Sequence, residues 1–423
     1  MAQLRPFRAL RFTPKAGPIE QLVCPPYDII SEGQRQAYLR ANPHNIIRLE
    51  LPKDGADPYA EAGKTLREWL ADGLMAQDEQ PAFYVYEIGF EIEGEPKSVA
   101  GLVTQIKLEE FSKGIVLPHE ETLSKAKTDR FNLMAATDCN FSDIYSLYMG
   151  NERIPDPMTL TTGQTPLIDL TDESGLRHRM WAVIDPEATA AVQTGFADTK
   201  LYIADGHHRY ETALNYRDHL IKTGQPAGDA DHVMMMLVGM GHPGLVVFPT
   251  HRMIRDVAGF DAATLLAACG EYFDIDENLP AAEMKGYLDA AYTAGKKSFG
   301  FYFGGGQFTR LTLKDGGIMA KLLPGLSPAS RGLDVNVLHT LVLERLLGID
   351  KVNMANQVNL TYTRSAEEAM GQVDTGAYQA CFILNPTRVT EIRDVAAAGE
   401  KMPQKSTYFY PKLITGLTMN KLR

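Results

Sequence analysis

Apolar and polar positions along this chain follow two periods. The strand period is clearest in FYVYEIGFEI at 83–92 and VAGLVTQIKL at 99–108, which a turn at Glu93-Gly94 joins into a long β-hairpin. LIDL at 167–170 and HRMWAVID at 178–185 predict a second hairpin around Glu173-Ser174-Gly175. Residues 6–13, 142–148 and 234–238 read as further strands, and NIIRLEL at 45–51 as a strand with Arg48 and Glu50 on one face. The helical period appears in Tyr59, Ala62, Leu66, Trp69 and Leu70, opened by Asp57-Pro58 and closed by Gly73. Ser31 with Gln34 forms a capping-box pattern for a helix over 31–41, and residues 117–137 read as a loop leading into a helix. Asp334 opens an amphipathic helix with Val335, Leu338, Val342 and Leu346 inward. Residues 150–166, rich in Pro, Thr and Gly, read as a loop or flap.

These elements predict a mixed α/β (α+β) fold, a mixed sheet with β-hairpins and flanking helices rather than a doubly wound one. Residues 256–330 change character, with helices over 261–270 and 280–295 and the hairpin FGFYF–GGGQ–FTRLTL, and read as a smaller α/β subdomain. The expected division is a main domain over 1–255, that subdomain, and a segment over 331–423 packing back on the main domain. With 423 residues, more than one core is expected.

The most chemically loaded stretch is LYIADGHHRYETALNYR at 201–217. A short apolar run breaks at Asp205-Gly206 and opens into a helix over 209–223. A strand that turns through glycine into a helix presents unpaired N–H groups and the positive end of the helix dipole, which together bind anions. Arg209 suits bidentate phosphate binding, and His207 and His208 suit hydrogen bonding or proton transfer. Asp205 suits Mg²⁺ or a proton. The other polar clusters are candidates to join this turn. They hold Tyr27 and Asp28 after Pro25-Pro26, Arg48 and Glu50, His119, Glu120, Lys127, Asp129 and Arg130, His251 and Arg252, and Lys405 and Tyr408 in the tail. Gly239-Met240-Gly241-His242-Pro243-Gly244 matches GxGxxG in form, but Pro243 and a following strand make it a hairpin loop rather than a dinucleotide fingerprint. No GxxxxGK[ST] and no GxSxG occurs.

A net charge of −11 disfavours nucleic acid as a partner, and no apolar run approaches the roughly 18 residues of a membrane span. The four scattered cysteines and the absence of a signal core point to the cytoplasm. A homodimer is compatible with the sequence.

The motifs CPPYD at 24–28, IIRLELP at 46–52, PHEETLSKAKTDR at 118–130, IADGHHRYETAL at 203–214, PTHR at 249–252 and MPQKSTYFYPKL at 402–413 resemble, in that order, one prokaryotic family of uncharacterised proteins, the domain-of-unknown-function set numbered one thousand and fifteen. DGHHR at 205–209 is similar to the phosphate-binding motif of the ParB/sulfiredoxin-like superfamily, most of all to its form in nucleotide-dependent free serine kinases. That resemblance implies a ParB/sulfiredoxin-like core around 200–220, with Gly206, His207, His208 and Arg209 on phosphate and Asp205 assisting with metal or proton transfer. It further implies Mg²⁺ and ATP or ADP, a small phosphorylated ligand, and a separate carboxylate base, for which Glu50 and Glu120 are the candidates. Arg48, Lys127, Arg130 and Arg252 are the further candidate cations. The first function expected is thus a phosphotransferase acting on a small hydroxylated metabolite. The alternatives are a nucleotide-responsive ParB-like regulator without catalysis and a metal-dependent hydrolase using His119, His207, His208, His251 and Asp205.

Overall fold

The computed structural model describes every residue except Glu121 and Leu123, and of Ser124 and Lys125 the backbone alone. The chain divides into two compact units, the first of residues 1–118, 122–246 and 411–423, the second of residues 119–121 and 247–410. These differ from the three segments expected: residues 256–330 and 331–410 fall in one unit, and only residues 411–423 go with the first.

The first unit is built on a mixed sheet of nine strands among the described residues. Its order runs Val116–Leu117, Leu201–Asp205, Ile144–Tyr148, His232–Gly239, Glu95–Lys107, Phe83–Ile92, Arg177–Val183 and Ile168–Thr171, with Leu4–Arg5 paired to Glu95–Lys107. Both expected hairpins are present as antiparallel pairs. Leu201–Asp205 pairs parallel with Val116–Leu117 and antiparallel with Ile144–Tyr148. Apolar runs such as Met234 to Val238 are buried throughout, as strands covered on both faces require. Helix His207–Lys222 lays Tyr210, Ala213, Leu214, Tyr216 and Leu220 into the core formed by Leu201, Ile203 and Met235. A second core in this unit gathers Leu10, Leu22, Ile46, Leu49, Leu66, Trp69, Phe141 and Met419. The capping box at Ser31 and Gln34 forms as expected, opening helix Glu32–Ala41. The tail is tied down: Asn420–Lys421 pairs with Cys139–Asn140, and Thr415 bridges Cys24.

NIIRLEL is not a strand. Asn45 accepts from the Ile47 N–H at 2.9 Å and donates its amide to the carbonyls of Gln21 at 2.9 Å and Val23 at 2.8 Å, which turns the chain into the short helix Ile47–Glu50. Arg48 and Glu50 therefore diverge, with Glu50 buried and Arg48 half-exposed on the Pro43 carbonyl and Asp54. The helix Pro186–Phe196 and the strand Phe273–Pro280 were not legible, because the first has a thin apolar stripe and the second, FDIDENLP, is largely exposed.

The second unit carries a six-stranded antiparallel sheet in the order Phe273–Pro280, Gln307–Leu313, Ser298–Tyr302, Ala380–Ile383, His251–Ile254 and Leu360–Thr363. Its core includes Phe273, Phe299, Phe301, Leu338, Val342 and Phe382. The helix that begins at Asp334 passes at His339–Glu344 into a π-helical turn. Among the described residues no helix is long and apolar enough to cross a membrane.

The loop Gly239–Gly244 does not close a hairpin. His232–Gly239 pairs with Ile144–Tyr148 and Glu95–Lys107, whereas Val246–Phe248 pairs with Tyr408–Tyr410. Gly244 is required by a close backbone approach, since a Cβ there would stand 1.7 Å from the Ser98 carbonyl oxygen. Gly241 has nothing within 4 Å. Gly244→Ala is therefore expected to lower stability by about 2 kcal/mol or more, while Gly241→Ala leaves it nearly unchanged, as measured by denaturant unfolding. Equal midpoints for the two variants would contradict this account.

Candidate functional site

The strand Leu201–Asp205 is buried up to its last residue. Its register against Ile144–Tyr148 shifts between Ile203 and Asp205, so that Asp205 faces Tyr145. Such irregularities re-aim side chains at strand ends. Gly206 then takes a left-handed conformation (φ 95°, ψ 26°), and a sixteen-residue helix begins at His207. Side chains of Ser31, Asp57, Asp185 and Asp261 cap other helices, but no side chain caps this one. The Arg209 guanidinium lies over Gly206, where a Cβ would stand 2.9 Å from its Nε.

Asp205 is held between two cations. Arg209 Nη2 donates to its Oδ2 at 2.6 Å, and Lys412 Nζ donates to its Oδ1. Burial opposes the charged carboxylate, but Lys412 and then Arg209 outweigh it and hold Asp205 well below the usual carboxylate range. Arg209 Nη1 also donates to the backbone carbonyl of Asp143. Asp143 is buried with its Oδ1 lacking a hydrogen-bond partner, and burial pushes its carboxyl up to about 7 against the pull of Arg209.

A second group stands beside this one, and Glu50, Arg130 and Arg209 line the same narrow pocket. Arg130 donates through Nη1 to the Glu50 carbonyl at 2.7 Å and through Nε to Asp129 at 2.8 Å, and it stacks 4.1 Å over the Tyr27 ring. The Glu50 carboxylate lies 3.7 Å from Arg130 and accepts from Ser142 Oγ at 2.9 Å. Burial raises its pKa despite those partners, and burial pushes Tyr27 up to about 12. Glu50 thus braces Arg130 rather than standing open as a base. Lys127 Nζ and Thr122 Oγ1 both donate to Glu211 at 2.7 Å. His208 is pulled below its ordinary pKa by burial, in the field of Glu211, Lys127 and Asp28, while His207 is buried.

The first unit therefore brings together Tyr27, Asp28, Glu50, Lys127, Asp129, Arg130 and the Asp205–Arg209 turn. Arg48 is engaged elsewhere, with Asp54. The remaining candidates belong to the second unit. There His119 Nε2 lies 3.1 Å from Thr407 Oγ1, and Glu120 accepts from the Lys405 N–H at 3.4 Å. Arg252 donates to the Lys405 carbonyl at 3.2 Å, and Arg364 stacks 4.1 Å over Tyr408. His251 Nδ1 accepts from the Leu384 N–H at 3.2 Å, and burial lowers its pKa to about 4. Asp143 was absent from the sequence-based site, whereas Lys412 falls in the polar tail segment 402–413 that was a candidate to join it. The one signal for Asp143 was an acid at the head of an apolar strand, and for Lys412 the polar character of the tail.

Asp205 does not fit the role of magnesium ligand, because both its oxygens are bonded to cations. Among the described residues no group of three or more His, Cys, Asp or Glu is arranged to hold a metal ion.

A model of the family described as protein of unknown function (DUF1015) matches residues 4–336. No curated protein matches the chain. Among solved structures, free serine kinase in complex with AMP is 11% identical over 73% of this chain and 89% of its own, with a TM-score of 0.37. A conserved hypothetical protein from Pyrococcus furiosus is 12% identical over 70% and 87%, with a TM-score of 0.33. SbnI with a C-terminal truncation, from Staphylococcus aureus, is 12% identical over 75% and 87%, with a TM-score of 0.36. Likenesses this weak carry no argument about chemistry.

The carboxyls of Asp205 and Asp143 predict opposite pH effects. Asp205, held low when folded, contributes stability above the usual carboxylate range that is lost as pH falls, so Asp205→Asn is expected to cost a few kcal/mol at pH 7 and progressively less on acidification. Asp143, raised to about 7, favours the fold while protonated and loses that as pH rises through 7, so Asp143→Asn is expected to gain a few kcal/mol at pH 8 and almost nothing at pH 4. Denaturant unfolding across that range checks both signs.

Proposed function

The chain belongs to the family of proteins of unknown function DUF1015, and we propose that it is a small-molecule phosphotransferase that holds the phosphates of a nucleotide at the start of helix His207–Lys222. The observation that carries this reading is the uncapped start of that helix at left-handed Gly206, with the Arg209 guanidinium against it. Helix N–H groups and an adjacent guanidinium make an anion site. Arg209 and Lys412 already converge on one anionic group, the Asp205 carboxylate, and the same cations can meet phosphate oxygens while Asp205 keeps them in place.

Phosphoryl transfer needs positioned charge more than covalent help. Arg130, braced by Glu50 and Tyr27, supplies a further fixed cation beside Arg209. His208, kept neutral by burial, suits the acceptance of a proton from a substrate hydroxyl. A bound nucleotide supplies the phosphoryl group. The likeness of DGHHR to the free serine kinase motif favours a small hydroxylated metabolite as acceptor.

Titration calorimetry with ADP, and turnover of ATP with L-serine and other small hydroxy compounds, test the proposal. Gly206→Ala and Arg209→Ala are each expected to weaken ADP binding at least about tenfold, because the first displaces the guanidinium and the second removes it. Variants that bind ADP like the parent would sink the assignment. Tight binding with no turnover of any acceptor would move the reading to a nucleotide-responsive regulator.

A further inference from the structure

The second unit contains a cavity of about 250 Å³ that the phosphate chemistry does not use. Its size lies just below the roughly 300–1,000 Å³ of ordinary small-molecule sites. One wall is the π-helical turn His339–Glu344, from which His339, Thr340 and Glu344 line the cavity. Single π turns of this kind are frequent at functional sites.

Arg252 fixes the chemistry of this wall from behind. It is 1% exposed, and no carboxylate pairs with it among the described residues. Its Nη1 donates to the Thr250 carbonyl, its Nη2 to the Lys405 carbonyl at 3.2 Å, and its Nε to His339 Nε2 at 3.3 Å. A guanidinium only donates, so His339 Nε2 accepts and the ring proton sits on Nδ1. Burial, with Arg252 beside it, keeps His339 neutral. His339 is 5% exposed, and among the described residues no acceptor takes its Nδ1–H. A donor on the wall of a cavity with no protein partner is open to an acceptor from a ligand.

The remaining walls select that acceptor. Leu323, Leu326, Met354 and Met402 make an apolar side, and Lys351 and Lys401 bring cations to the lining. Glu344 on the same wall disfavours a second negative charge in the ligand. Arg252 stands behind this wall and does not itself line the cavity, so its guanidinium offers no bidentate clamp to a phosphate there. We propose that this cavity binds a small monocarboxylic acid with an apolar body, its carboxylate accepting from His339 Nδ1 and its body resting on the leucine and methionine wall.

Calorimetric titration of the full chain with phenylacetate, phenylacetamide and inorganic phosphate tests this. Phenylacetate is expected to bind, phenylacetamide at least about tenfold more weakly, and phosphate not to compete. His339→Phe and Ala355→Trp are expected to abolish phenylacetate binding. Ala355 is an exposed helix position on the cavity rim, so its variant keeps the fold and fills the space. Arg209→Ala is expected to bind phenylacetate like the parent, which separates this proposal from that of the phosphate site. No binding of phenylacetate, equal binding of the amide, or undiminished binding by Ala355→Trp would overturn the proposal.

Discussion

Asp205 joins three parts of the first unit through one carboxylate. It ends a buried strand, precedes the glycine that starts the long helix, and receives Lys412 from the returning tail. Its two cations are half-buried with it, so removal of the carboxylate would leave Arg209 and Lys412 facing each other with their shared counter-charge gone. The geometry of the turn depends on this pairing. Arg209 reaches Asp205 only because it lies one helical turn further on, and it covers Gly206 only because no side chain stands there.

Around that triad the charges are nearly all matched in pairs: Lys127 with Glu211, Arg130 with Glu50 and Asp129. A site of this kind is held in shape before a ligand arrives. An anion entering it competes with internal carboxylates, which makes its selectivity one of geometry rather than bulk attraction. The net charge of −11 fits that picture, since the field of the whole chain does not draw anions in. Asp143 Oδ1 and Arg130 Nη2 are buried here without a hydrogen-bond partner.

The sequence carried much of this in legible form. The Asp-Gly break between an apolar run and helix-forming residues marked the turn, and period-two alternation marked both hairpins of the first unit. What escaped is long-range. Arg48 and Glu50 appear as neighbours on a strand face, and only the Asn45 hydrogen bonds, which reach back more than twenty residues, turn them apart. Asp143 is one acid among apolar neighbours, and its burial depends on strands far from it in sequence. The π-helical turn at His339 has a helical apolar stripe like any other, so its widened geometry leaves no mark in the pattern. The three expected segments became two units because strands His251–Ile254, Leu360–Thr363 and Ala380–Ile383 share one sheet with the hairpin at 298–313.

The position of Lys412 sets an order of assembly. It lies 207 residues beyond the carboxylate it meets. Contacts that close so long a loop form late, after the local pairs along the sheet have formed. During synthesis the strand, the glycine turn and Arg209 emerge long before their second cation. A chain not yet extended to Lys412 therefore carries the turn with half its counter-charge, and the site reaches its final electrostatic state only when that residue docks. Maturation of the site is in this sense a signal of complete folding of the unit that bears it.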